Sequence, residues 1–442
     1  MALQSSCPIN KIFAEEISDS RGNPTIKVTA WAGSISGSFS VPSGASTGIH
    51  EAHELRDEDG NPPSPNGFGR ARGVKNAIEK VNKIIAPALL GQDIFNQKEI
   101  DRIMLELDGT YNKDNLGGNA IIGASIACAK TAAKISGKEV FEYLRILTNI
   151  KPSLRPDSRQ ARKVPYLFMN LLEGGKHVHN GLGLAFQEYL IVPETENVQE
   201  AVDIGIKIQE GLKKILKASG DEAIESGDEG GFAPKTNDIK TPLKYLTEAV
   251  NKNNLQDQVR LALDTAASSF YARGTYKING KNIPKEELGE IYDSLVKEFN
   301  LLSIEDPFEE EDFKSFGGLK NKNKGLLIVG DDLTVSNQTL LKKAIEKGSI
   351  NAIIIKPNQI GTLTETLETM KLAREHDIEL IVSHRSGETD DDFIADLAFA
   401  FNCFGLKAGS PLKPERMVKY ERLIQISNLL LTQFIYGRRR KT

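Results

Sequence analysis

Short apolar runs recur along the last two-thirds of this 442-residue chain, and most end on a charged side chain. The runs are PYLFMN (165–170), EYLIVP (188–193), RLALDTA (260–266), LLSIEDP (301–307), LLIVGDD (326–332), AIIIKPN (352–358), ELIVSHR (379–385) and FGLKAGS (404–410). Runs this short, apolar at successive positions, suit strands buried on both faces, as in a parallel sheet. Helical patterns between the later runs complete β/α units, and eight units in this span fit a (β/α)8 barrel. Asp264, Glu305, Asp331, Lys356, His384 and Lys407 stand at or near the C-terminal ends of six runs, at steps of 41, 26, 25, 28 and 23 residues. In a parallel barrel those ends converge on one face, the face that carries active sites. The spacing therefore predicts three carboxylates, two lysines and a histidine around one mouth.

The first part of the chain is patterned differently. Residues 25–41 alternate apolar and polar positions about a glycine and read as an antiparallel hairpin. Residues 70–90 and 117–147 have helical apolar spacing, and the Pro/Gly/Asn-rich stretch 57–69 reads as a surface loop. Segment 148–164 has two prolines, five basic residues and little periodicity. The expected organisation is an α+β domain over 1–147, a linker over 148–164 and a barrel domain over 165–442.

Three carboxylates from neighbouring strands make a hard-oxygen site, which favours Mg²⁺ over zinc. Without an ion they would repel one another and raise their pKa values. Lys356 and Lys407, part-buried beside positive charge, are expected to have depressed pKa values and so to offer a neutral amine as base. A base beside Mg²⁺ suits proton abstraction next to a carboxylate. GDEGGFAP (227–234) holds Glu229 in a glycine-flanked turn, where it suits a general acid acting on a leaving hydroxyl. SHRSGE (383–388) offers Arg385 and Ser386 to a phosphate. VPSGASTG (41–48) is a small-residue loop able to close over a site, with Ser46 as a metal contact.

The balance of charge narrows the alternatives. Lys and Arg total 56 against 60 Asp and Glu, a formal net charge of −4, which argues against a nucleic-acid binder. Cys7, Cys128 and Cys403 are odd in number and widely spaced, as expected of reduced thiols in a cytoplasmic protein. No apolar run approaches the ~18–20 residues of a membrane helix, and the first twenty residues lack the apolar core of a signal peptide.

Taken in order, SDSRGNPT (18–25), VPSGASTG (41–48), GDEGGFAP (227–234), SIEDPF (303–308), GDDLTVSN (330–337), KPNQIGT (356–362), SHRSGET (383–389) and KAGSP (407–411) resemble the signatures of the enolase family. The resemblance runs from about Ile17 to Ile426. It implies a capping α+β domain, a (β/α)8-type barrel with one antiparallel strand, and a homodimer or octamer. It also implies Mg²⁺-dependent dehydration of 2-phosphoglycerate to phosphoenolpyruvate, with two Mg²⁺ per site. By the same resemblance Asp264, Glu305 and Asp331 are ligands of one Mg²⁺, and Ser46 contacts the second. Lys356 is the base at C2, Lys407 steadies the substrate carboxylate, and Glu229 with its partner Glu188 assists loss of the C3 hydroxide. Arg385 and Ser386 contact phosphate, while Gln187 and His384 line the site.

The sequence departs from the family pattern in several places. GGKHVHN (174–180) offers two histidines where one is usual: His177 keeps the GGxH context and His179 keeps the usual distance to Glu188. Ser269 replaces a glutamate, and Lys413 and Pro414 replace an arginine and a serine. The tail GRRRKT (437–442) reads as solvated charge. A sugar-acid dehydratase of the same superfamily would lack the 41–48 loop and the Glu229 turn. A non-catalytic relative would be expected to lack Lys356, Lys407 or Glu229, and all three are present.

Overall fold

A computed structural model describes residues 6–44, 48–57, 73–150, 164–178, 183–220 and 225–439 of the chain. Most of the 57–69 loop, residues 151–163 of the expected linker, Ser46, His179 and the last three residues of the tail lie outside the described residues.

The N-terminal region is a three-stranded antiparallel sheet of β1 (Ile9–Ser18), β2 (Pro24–Ala32) and β3 (Ile35–Ser40), in that order. The predicted hairpin is β2–β3; β1 is an addition that the sequence reading missed. One face of the sheet packs on the helix Gly118–Ile135, whose stretch GNAIIGASIACA is rich in small residues. The packing is close. A Cβ on Gly37 would lie 2.5 Å from the Thr131 nitrogen, and one on Gly123 would lie 2.5 Å from a Val28 methyl. The expected helix over 117–147 is two helices: the first ends at Ile135, Gly137 takes a φ of +61°, and the second runs Val140–Leu147. A helix at Gln97–Asp108, capped by the Asn96 side chain, was not anticipated.

The eight apolar runs form β4 (Tyr166–Glu173), β5 (Glu188–Pro193), β6 (Val259–Asp264), β7 (Ser303–Glu305), β8 (Leu327–Gly330), β9 (Ala352–Ile355), β10 (Glu379–Ser383) and β11 (Gly405–Lys407). Each pairs with the next, and β11 pairs with β4, so the sheet closes into a barrel. Alternate residues such as Tyr166 and Phe168, Leu190 and Val192, and Leu327 and Val329 fill its interior. The larger core lies between the strands and the surrounding helices. Polar side chains start the outer helices: Asn197, Asn337, Thr362 and Asp312 each accept a first-turn N–H.

Reading every run as a parallel strand needs one correction. β5 runs antiparallel to both β4 and β6, as the family resemblance implies. Buried on both faces, it has the same composition as its parallel neighbours, so its direction leaves no mark on its residues.

Candidate active site

Strand register assembles one rim of the barrel. Glu305 ends β7 directly beside Asp264, which ends β6. Asp331 follows β8, Lys356 follows β9, His384 follows β10, and Lys407 ends β11. Because β5 is reversed, its first residue lies at this rim, and Glu188 pairs across the sheet with Asp264 on one side and Glu173 on the other. A run that carries its acid at the start thus serves the same mouth as runs that carry theirs at the end.

Lys407 is buried at the centre of this rim. Its Nζ lies 2.8 Å from Asp264 Oδ2, 2.9 Å from Glu305 Oε2 and 3.1 Å from Glu188 Oε2. Lys356 Nζ bonds Asp331 Oδ2, whose other oxygen accepts the Gln359 side-chain amide at 2.9 Å. These pairings overturn the expected depression of both lysine pKa values. Burial does work against the charge on Lys407, but Asp264, Glu188 and Glu305 outweigh it and raise the pKa well above the ordinary lysine value. Burial likewise opposes charge on Lys356, and Asp331 raises it. Glu188 and Glu305 are pushed well up, first by burial and then by neighbouring carboxylates.

Two further acids belong to this rim, and the sequence reading passed over them. Asp306, with a φ of +42°, accepts the backbone N–H of Asp331 at 2.9 Å and of Asp332 at 2.6 Å. Burial and the Asp331 charge push Asp332 up to about 8. Oxygens of Asp306, Asp331 and Asp332 lie within 4.8 Å of one another. The available signal was the acid doublets in SIEDP and GDD.

Next to Lys407 lies a second cluster. Glu229 Oε2 accepts the Asn170 side-chain amide at 3.1 Å and lies 3.2 Å from His384 Nε2. His177 is buried within 3.9 Å of both Glu188 and Glu229. The other side of His384 is fixed by Arg416, an interior arginine that the sequence reading did not single out. Arg416 Nη1 lies 2.6 Å from His384 Nδ1. A guanidinium only donates, so Nδ1 accepts and the ring proton sits on Nε2, facing Glu229. Burial pushes His384 down to about 4; Glu229 opposes the shift and Arg416 adds to it. Burial works against charge on Glu229, yet the contacts with His384 and His177 and the Arg416 charge hold its carboxyl well below the usual range.

The third part of the mouth is cationic and meets the N-terminal region. Arg385 is buried, with Nη2 at 3.2 and 2.9 Å from the two Glu51 oxygens and Nη1 at 3.0 Å from Asn358 Oδ1. Glu51 also accepts the Gly48 N–H at 3.1 Å and the Gln359 amide at 3.2 Å. The backbones of Ser43 and Gly387 exchange hydrogen bonds at 2.8 and 2.9 Å. The loop that begins with VPSG is thereby fastened to the SHRSGE turn. Gln187 and Ser386 line the same cleft.

The donor set fits a hard divalent cation. Asp264, Glu305 and Asp331 present oxygens, and buried Gln187 Oε1 has no hydrogen-bond partner among the described residues. Lys407 and Lys356 are the ammonium groups among these acids. The excess of acid is what a divalent cation balances.

Comparison with known proteins agrees along the whole chain. Residues 9–144 match the family model described as the enolase N-terminal domain, and residues 161–442 match that of the enolase C-terminal TIM barrel domain. The enolase of Methanocaldococcus jannaschii is 45% identical over 425 residues, covering 96% of this chain and 95% of that protein. The enolase of Methanopyrus kandleri is 43% identical over 98% of each chain. Enolase 1 of Entamoeba histolytica is 42% identical over 96% of each.

Proposed function

The chain belongs to the enolase family, the hydro-lyases that interconvert 2-phosphoglycerate and phosphoenolpyruvate, and from that premise we propose how its residues divide the reaction. Asp264, Glu305 and Asp331 would hold one Mg²⁺, and Ser46 would contact a second. An ion held there would take up the Asp331 charge that anchors Lys356 and would supply positive charge next to the substrate carboxylate. Lys356, as the neutral amine, takes the C2 proton. Lys407 steadies the substrate carboxylate, in place of the carboxylates it bonds here. Glu229, partnered by Glu188, assists loss of the C3 hydroxide; of the pair, Glu188 is the carboxyl pushed up towards its protonated form. Arg385 and Ser386 receive the phosphate, with Gln187, His177, His179 and His384 around the substrate. Ser43 and Glu51, on either side of residues 45–47, are fastened to the barrel at Gly387 and Arg385.

One observation carries this reading. A buried lysine bonds carboxylates from β5, β6 and β7 while a second lysine bonds the carboxylate after β8, which supports giving the roles of base and metal ligands to residues of one rim. The domain boundaries at 147 and 165, a homodimer or octamer, and a cytoplasmic location complete the proposal. Among the described residues no helix is long and apolar enough to cross a membrane. The purified protein with 2-phosphoglycerate and Mg²⁺ should generate the ultraviolet absorbance of an enol phosphate, and EDTA should abolish it. No absorbance in the presence of Mg²⁺ would overturn the reading.

A further inference from the structure

Glu173 is a buried acid beside this cleft to which the proposed chemistry gives no task. It ends β4, is fully buried and lies across the strand pair from Glu188. Its oxygens sit beneath the 227–231 turn: Oε1 accepts the Gly231 N–H at 2.5 Å, and Oε2 accepts the Glu229 N–H at 3.3 Å. The turn wraps this carboxylate closely. A Cβ on Gly227 would fall 2.1 Å from Oε2, and one on Gly231 would fall 2.9 Å from Oε1. Two glycines of GDEGG are thus what allow the backbone to reach the carboxylate.

The acid is consequently held at two levels. Asn170 and His384 hold the carboxyl of Glu229, whereas Glu173 holds its backbone, helped on the other side by Ser410, whose N–H donates to the Glu229 carbonyl at 3.1 Å. Burying a carboxylate is costly. Unlike the neutral amide of glutamine, which has one acceptor oxygen, a carboxylate can accept both N–H groups at once. Lys356 and Asp331 are reached by none of these contacts.

We propose that Glu173 is a positioning residue for the acid half of the reaction: by gripping the Glu229 and Gly231 N–H groups it sets where the Glu229 carboxyl meets the leaving hydroxyl, and it takes no part in proton removal at C2. This rests on the reading of Glu229 as the acid and Lys356 as the base. The two halves can be followed separately, as exchange of the C2 proton of 2-phosphoglycerate with D2O and as formation of phosphoenolpyruvate. Glu173→Ala should slow product formation roughly tenfold or more, the cost of leaving buried N–H groups unpaired, with C2 exchange held to within about twofold and KM little changed. Glu173→Gln, keeping one acceptor, should fall between wild type and Glu173→Ala, and the same comparison on it serves if the alanine variant does not fold. Parallel loss of exchange and product, or a glutamine variant with unaltered product formation, would overturn the proposal. A wild-type protein that exchanges the proton but forms no product would instead sink the assignment of Glu229 on which it rests.

Discussion

Arg416 is the interior residue whose removal should reach furthest. It is fully buried at the start of the helix Pro414–Arg439. Its guanidinium donates to the carbonyls of Arg385 at 2.6 Å, Ser386 at 2.7 Å and Asp228 at 3.2 Å, besides His384 Nδ1 at 2.6 Å. It therefore ties the phosphate-side turn to the turn that carries Glu229 and fixes the tautomer of the histidine between them. Take Arg416→Met, which keeps an unbranched chain and removes the donors. Three charge-assisted bonds to carbonyls at ~1.5–3 kcal/mol each come to about 6 kcal/mol, and an apolar side chain in the same space recovers ~2 kcal/mol. The expected loss is about 4 kcal/mol, read as a shift of the urea midpoint at unchanged slope. Turnover should fall as well, because His384 is then free to flip its ring proton away from Glu229. A variant within ~1 kcal/mol of wild type and fully active would refute the reasoning, since it would mean that the carbonyls find other donors and that His384 is oriented without Arg416.

Other expectations follow from the same geometry. Lys356→Ala should retain the fold, seen by circular dichroism, and lose roughly 10²–10⁴-fold in kcat; full activity would remove Lys356 from the role of base. His384, held at about 4 when folded against an ordinary 6.5, binds fewer protons in the native state across that interval. Its contribution to stability is therefore complete above about pH 6.5 and lost as the pH falls towards 4, so urea midpoints should drop between these values more in wild type than in His384→Gln; equal drops would contradict the assignment. His177 is buried in the cleft, so in steady-state assays His177→Ala should lower kcat more than His179→Ala does, and the reverse order would move the role to His179.

The barrel was legible because each strand is short, apolar and buried on both faces, and because a charge closes most runs. Runs such as AIIIKPN and ELIVSHR mark both the strand and the residue it delivers. Strand direction was not legible: EYLIVP looks like its neighbours, and only the register of Glu188 against Asp264 shows why its acid comes first. The ionisation of the lysines was misjudged because it depends on partners far along the chain. Lys407 meets Glu188, Asp264 and Glu305, none of them within a hundred residues of it. Arg416 and Glu173 escaped notice for the same reason. Their work is done on backbone groups of other loops, which leave no pattern in side-chain type. Asp306 and Asp332 were visible as doublets, but a doublet does not say which acid faces the cleft and which ties the loop.

At the centre of the account is a divalent cation held by carboxylates from adjacent strand ends. Calorimetric titration of Mg²⁺ into wild type and into Glu305→Gln tests it most directly, since the substitution keeps the size of the side chain and removes its charge. Affinity should weaken at least roughly tenfold, with the thermal stability of the metal-free proteins little different. Equal Mg²⁺ affinity in the two proteins would contradict the account.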